Sequence, residues 1–215
     1  PGFVSTGDQG GQIFVRGGSP VQNKVLLDGM IVYNPFHSIG LFSVFDTDII
    51  STADVYTGGF NAQYGGRLSS VLDVKTTDGN KNRIKVQASI GLIASKVSID
   101  GPITASMKTT FVLSARRSYI DVLRGALNAI PNQSDLNPFK TGYYFYDING
   151  KIKHDFSRKH QLSLSYYLGQ DIVFVKNSYS AKAAEFSIRQ KDRQNVYWGN
   201  QLIALRDHHI WSQRL

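Results

Sequence analysis

The 215-residue chain contains no cysteine. Disulfide scaffolds, thiolate metal sites and cysteine nucleophiles are thereby excluded, whatever the compartment. No run of about 18 apolar residues occurs, so no membrane-spanning helix is expected, and no basic segment leads into an apolar one as in a signal peptide. No methionine precedes Pro1, which predicts that the natural chain starts further upstream. Charged residues are few, at 19%, and hydrophobic ones reach 41%, so a packed core is expected rather than disorder.

Charge is also lacking in evenness. Residues 1–79 carry four basic residues (Arg16, Lys24, Arg67, Lys75) against seven Asp, a net of −3, while residues 80–215 carry 20 basic against 9 acidic, a net of +11. Two different segments are joined. The basic, aromatic-rich one opens a nucleic-acid or membrane-surface reading.

Glycine and Asn/Asp turns organise the first segment. Ile13 and Val15 form one short β-type run, and "VLLDGMIVYN" two more folded about Asp28-Gly29, a pair that tolerates φ > 0 at both central positions of a hairpin turn. "FDTDIIS" offers Asp46 as the N-cap of a short helical turn, after which "TADVYTGG" and "LSSVLDVKT" return to strand. A small mixed α/β unit ending near Thr77 results, and we set its boundary at 79. The pairs Gly17-Gly18, Gly58-Gly59 and Gly65-Gly66 mark sharp turns but lack the spacing of a phosphate loop.

From Arg83 the period changes to two. Ile84, Val86, Ala88, Ile90 and Leu92 alternate with Lys85, Gln87, Ser89 and Gly91. Val97 and Ile99 fall out of phase, which demands a turn, and "GPITAS" supplies another. Alternating runs follow at 109–116, 144–153, 162–169 and 196–209, about six strands over residues 80–215. Ten residues at about 3.3 Å each, tilted by about 45°, span roughly 23 Å, close to the apolar band of an outer-membrane barrel. Aromatics at the run ends, Tyr119, Tyr143, Tyr144, Phe156, Trp198 and Trp211, suit interfacial girdles. Lys85, Lys108, Lys151 and Lys153 lie opposite the apolar stripe, as a wet lumen needs, whereas a nucleic-acid binder needs lysine and aromatics on one face. No nucleic-acid partner is expected.

The ordered set VRGG, LLDGM, YTGGF and YGGRLSSVLDV closely resembles the plug domain and first barrel strands of TonB-dependent outer-membrane receptors. The resemblance spans nearly the whole chain. It implies a mixed α/β plug followed by antiparallel transmembrane strands, a fragment of a 22-stranded barrel whose lumen the plug fills. It implies import of a scarce ligand (siderophore, corrinoid, glycan or peptide) across a Gram-negative cell outer membrane by plug displacement. The alternative is an outer-membrane protein of the same fold serving in adhesion or as an accessory subunit of a secretion or assembly complex. TonB, acting through a TonB box outside this sequence, the imported ligand, outer-membrane lipid and optionally a surface lipoprotein are the implied partners. Thr57 stands where many relatives carry an Arg of the plug–barrel lock, so Arg16, with Arg67 of "YGGR" as a second candidate, is expected to serve it.

Signatures of catalysis are missing: no HExxH, no GxSxG and no paired carboxylates. His208 and His209 adjoin Asp207, but consecutive strand residues face opposite ways, so no metal is expected, nor any cofactor or enzymatic activity. In the turn-prone stretch "VYNPFHSIGLF", Tyr33, Asn34, Phe36, His37 and Phe42 are the candidate ligand platform. Two long loops, Tyr119–Gly142 with a short helix marked by Ile120, Leu123, Leu127 and Ile130 and then the polar arm "PNQSDLNPFK", and Lys176–Arg193, are expected on the outer side. The second is expected to be partly disordered.

Overall fold

The computed structural model describes residues 3–5, 13–38, 40–67, 69–104, 106–127, 139–182 and 187–211. Strands β1 (Phe3–Ser5) and β2 (Ile13–Val15) pair with each other. A mixed four-stranded sheet follows, built from β3 (Asn23–Leu27), β4 (Met30–Ile31), β7 (Ile50–Tyr56) and β8 (Ser70–Thr76) in the order β4-β3-β8-β7. The ribbon β5 (Phe36–His37) and β6 (Phe42–Ser43) lies between β4 and β7 in the chain. Asp28 and Gly29, at φ 48° and 81°, turn β3 into β4 as expected, and the Asp46 carboxylate caps a 3₁₀ turn at Thr47–Ile49 by accepting from Asp48 N at 3.2 Å.

The central strands β3 and β8 run parallel, and their residues are mostly buried on both faces, the polar Asn23, Ser70, Asp73 and Thr76 included. On one face Val25, Leu27, Met30, Val32, Val44 and Val74 pack around Tyr167, with Leu202 and Ala204 alongside. On the other, Leu26 and Val71 pack under Tyr64. Burial, then Tyr56 and the Asp73 carboxylate, push the Tyr64 hydroxyl up to about 12, so it stays a donor to Asp73 at 3.0 Å.

Tyr167, Leu202 and Ala204 belong to a second, six-stranded sheet. It is an antiparallel meander of β9 (Lys85–Ile90), β10 (Ala94–Pro102), β11 (Thr109–Ser118), β12 (Phe139–Ser157), β13 (His160–Lys182) and β14 (Ser187–His209). A helix, α1 (Ile120–Leu127), follows β11. Alternation decides the faces: Val112, Ser114, Phe145, Asp147, Ser165, Tyr167 and Asp171 are buried against the small unit, while Val86, Ile90, Val97, Leu113, Ile152, Leu164, Ile203 and Leu205 point away and stay exposed. At the end with the tight Ser157–His160 turn, His154, Phe156, His160, His209 and Trp211 stack into one row, with ring centroids 4.3 to 4.8 Å apart. No described helix is long and apolar enough to cross a membrane, which says nothing about strands.

Three expectations need correction. The segment Lys176–Arg193 is not a loop, because β13 and β14 stay paired out to Lys182↔Ser187, where the ladder satisfies the backbone that a polar sequence had suggested was irregular. Likewise β12 begins at Phe139, so the first long connection is shorter than expected; helix α1 forms as anticipated, while Ile130 and residues 131–138 lie outside the described residues. Tyr143 and Trp198 are not girdle residues: both face inward and stack on each other at 6.4 Å, since the network described below requires the Tyr143 hydroxyl.

Candidate functional site

The small unit is fastened to the inward face of the six-stranded sheet, the wall, by successive sets of polar contacts. The set nearest the tight turns is Asp78, whose carboxylate takes Lys151 at 2.9 Å and Lys153 at 2.7 Å, with Lys81 joined to Asp155 beside it. Burial would raise the Asp78 carboxyl, but Lys153 and Lys151 outweigh it and hold the group below the usual carboxylate range. That stabilisation is present above the ordinary value and is lost only as pH falls through the depressed one.

Asp28 forms the second set, and it combines two tasks. Its backbone makes the turn, while its carboxylate accepts from Thr76 N at 3.0 Å, Thr76 Oγ1 at 2.5 Å and Ser165 Oγ at 3.2 Å, with Lys151 Nζ at 3.4 Å. Arg206 of β14 donates to the Asp28 carbonyl at 3.0 Å. A Cβ on Gly29 would sit 2.4 Å from that guanidinium, at a φ of +81° that side chains resist. Gly29→Ala is therefore expected to cost about 1–3 kcal/mol, read as a lower urea midpoint for release of the unit. Gly66→Ala, at φ +88° with open space around it, carries the strain alone, so the difference between the two reports the displacement of Arg206.

In the third set Asp46, already a helix cap, accepts from Ser114 at 2.6 Å, and Lys96 reaches Asp48 at 2.7 Å. Further along the wall, Asn200 donates to the Asn34 carbonyl at 2.7 Å.

The fourth set is the most buried. His37, 1% exposed, lies between two wall carboxylates: Nε2 is 2.8 Å from Asp147 Oδ1 and Nδ1 is 2.8 Å from Asp171 Oδ2. Its ring stacks on Phe145 at 4.2 Å and 8°. Asp147 also accepts from Tyr167 at 2.8 Å and from Arg116 Nε at 2.8 Å, and Arg116 reaches on to the Ser43 carbonyl. Asp171 accepts from Tyr143 and from Ser38 N, the latter at 3.1 Å. Wall and unit share one buried network.

The expected platform is thus divided. Tyr33, Asn34 and Phe36 line a cleft of about 280 Å³ with Arg67, Val21 and Leu72. His37 and Phe42 turn the other way, onto Phe145 and the wall, so His37 is a fastening residue and has no face open to a ligand. Arg16 is exposed beside Gly58, and Arg67 is exposed and donates to the Gly66 carbonyl at 3.2 Å. Asp28, Asp46, Asp78, Asp147 and Asp171 were not legible as site residues; the opposed charges of the two segments hinted only at Asp28, Asp46 and Asp78. His208 and His209 do face opposite ways, and no group of metal-holding side chains occurs among the described residues.

Residues 1–71 match the TonB-dependent Receptor Plug Domain family. No curated protein matches the chain. Among solved structures, the siderophore receptor PirA from Acinetobacter baumannii is similar at 15% identity and a TM-score of 0.51, over 92% of this chain and 36% of that one. PirA from Pseudomonas aeruginosa aligns at 16% identity and a TM-score of 0.48, over 93% of this chain and 37% of that one. The chain thus spans little more than a third of the length of these structures. Residues 1–71 thus match a TonB-dependent receptor plug domain, and they pack against strands that share the fold of such a receptor.

Proposed function

We propose that the chain forms the plug and the adjoining barrel wall of an outer-membrane transporter that imports a scarce ligand when TonB displaces the plug. One observation carries this reading: much of the plug–wall seam is made of directional polar contacts that can break and re-form, from Asp78–Lys153 to His37–Asp171. A permanent core would be sealed by apolar packing. The exposed apolar residues of the outward face then lie in lipid, as a barrel requires. Tyr33, Asn34 and Phe36 serve as the ligand platform, and Arg16 and Arg67 meet carboxylates of barrel strands beyond those of this chain. The fold does not choose the ligand, and no catalytic role is proposed.

The test joins plug to wall. Asp48 and Lys96, in contact at 2.7 Å, are replaced by cysteines and linked by a short cleavable thiol reagent in intact cells carrying the whole receptor. Uptake of a ferric siderophore, cobalamin, an oligosaccharide or a tripeptide should require TonB, cease on linking and return on cleavage. TonB-independent uptake, or uptake indifferent to the link, rejects the reading.

A further inference from the structure

The charges around His37 do not balance unless the ring carries two protons. Every element packed against it contributes: Arg116 from β11, Tyr143, Phe145 and Asp147 from β12, Tyr167 and Asp171 from β13, and Phe42 from its own ribbon. Arg116 stays charged at any accessible pH and neutralises Asp147. Nothing but His37 stands opposite Asp171 as a cation among the described residues. A neutral imidazole has one N–H, so it would set a lone pair against one of two carboxylates at 2.8 Å and leave one buried negative charge uncompensated.

From this geometry we infer that the plug is latched to the barrel wall by a proton on His37, and that moving the plug off the wall lets that proton go. The inference deepens the proposed plug displacement but needs no transport for its test. Burial by itself would lower the affinity of His37 for a proton; the hydrogen bonds to Asp147 and Asp171 outweigh it, and the net displacement is upward from 6.5. A raised folded value fixes the sign. The latch contributes fully below 6.5, weakens as pH rises from there through the raised value, and is gone above it. The Asp78 set responds with the opposite sign and only in acid, so the two do not overlap.

The experiment uses the whole receptor in detergent micelles, with release of the plug by urea followed through Trp198, which stacks on Tyr143 at the edge of the network. A Trp198→Phe protein supplies the blank. Between pH 6 and 9 the equilibrium constant for release should rise about tenfold per pH unit across the window and then level off, the slope of one proton. His37→Gln should release more easily at pH 6 and show no such rise. Since that variant could also fold poorly, the native protein is read directly: with ¹⁵N-histidine labelling, the His37 ring should give an imidazolium signal at pH 7. A neutral His37 ring at pH 6, a flat profile in the native protein, or an equal rise in His37→Gln overturns the latch. Failure of TonB-dependent uptake with the pH profile intact would instead reject transport and leave the latch standing.

Discussion

Replacing Asp147 by Asn is expected to destabilise plug docking by about 3–5 kcal/mol, the cost of breaking a buried ion pair by removing one partner. The side chain is fully buried, and it serves three donors at once: His37, Arg116 and Tyr167. Asn keeps the shape but withdraws the charge, so Arg116 and the His37 ring lose the carboxylate they share. The measurement is the urea midpoint for plug release in the whole receptor. Asp54→Asn is the comparison, because Asp54 is half exposed and 3.9 Å from Lys75, a surface pair whose loss should cost about 0–1 kcal/mol. Equal midpoints for the two variants would show that the His37 network does not hold the plug. A cycle with His37→Gln adds a second check, since residues of one network should not be additive.

The charge split of the sequence acquires its meaning in these contacts. Read linearly, a net of −3 followed by +11 suggested a basic partner surface. In the fold, Asp28, Asp46, Asp48 and Asp78 of the plug meet Lys96, Lys151 and Lys153 of the wall, so part of the basic excess is answered within the chain. At the His37 network the signs are reversed, with the cation on the plug and the carboxylates on the wall. A pairing between residues 110 or 134 positions apart has no local signature, which is why His37 read as a polar tip of an aromatic loop.

Other features were legible because their cause is local. The Asp28-Gly29 turn and the Asp46 cap are each decided within a few residues, by φ > 0 and by one side-chain acceptor. The inward and outward faces of the wall follow from period two alone. That rule lapsed beyond Val175 and before Val196, where the sequence is mostly polar and yet the two strands remain paired. Hydrophobic patterning reports burial, and backbone pairing does not depend on it. Tyr143 and Trp198 were misplaced for a related reason: an aromatic at the end of a run is equally suited to a girdle and to an inner stack, and only the partner strand decides.

Ile148→Arg carries the next largest expected effect, and it tests the outward face. On β12 the outward residues read Tyr144, Tyr146, Ile148, Gly150, Ile152, with His154 and Phe156 in the aromatic row beyond, so aromatics bracket a short aliphatic stretch. From Tyr144 to Phe156 a strand tilted by about 45° rises roughly 28 Å, about the height of an apolar band. Ile148, flanked across the sheet by Ala115 and Leu168, lies close to the middle of it. Arginine there should cost about 2–4 kcal/mol, whereas Ser89→Arg, on the inward face of β9 opposite Lys96, should cost much less. Both values come from one urea refolding titration of the whole receptor into lipid vesicles. If the two faces tolerate arginine equally, the outward surface is not in lipid; if Ser89→Arg is the more damaging, inside and outside have been exchanged.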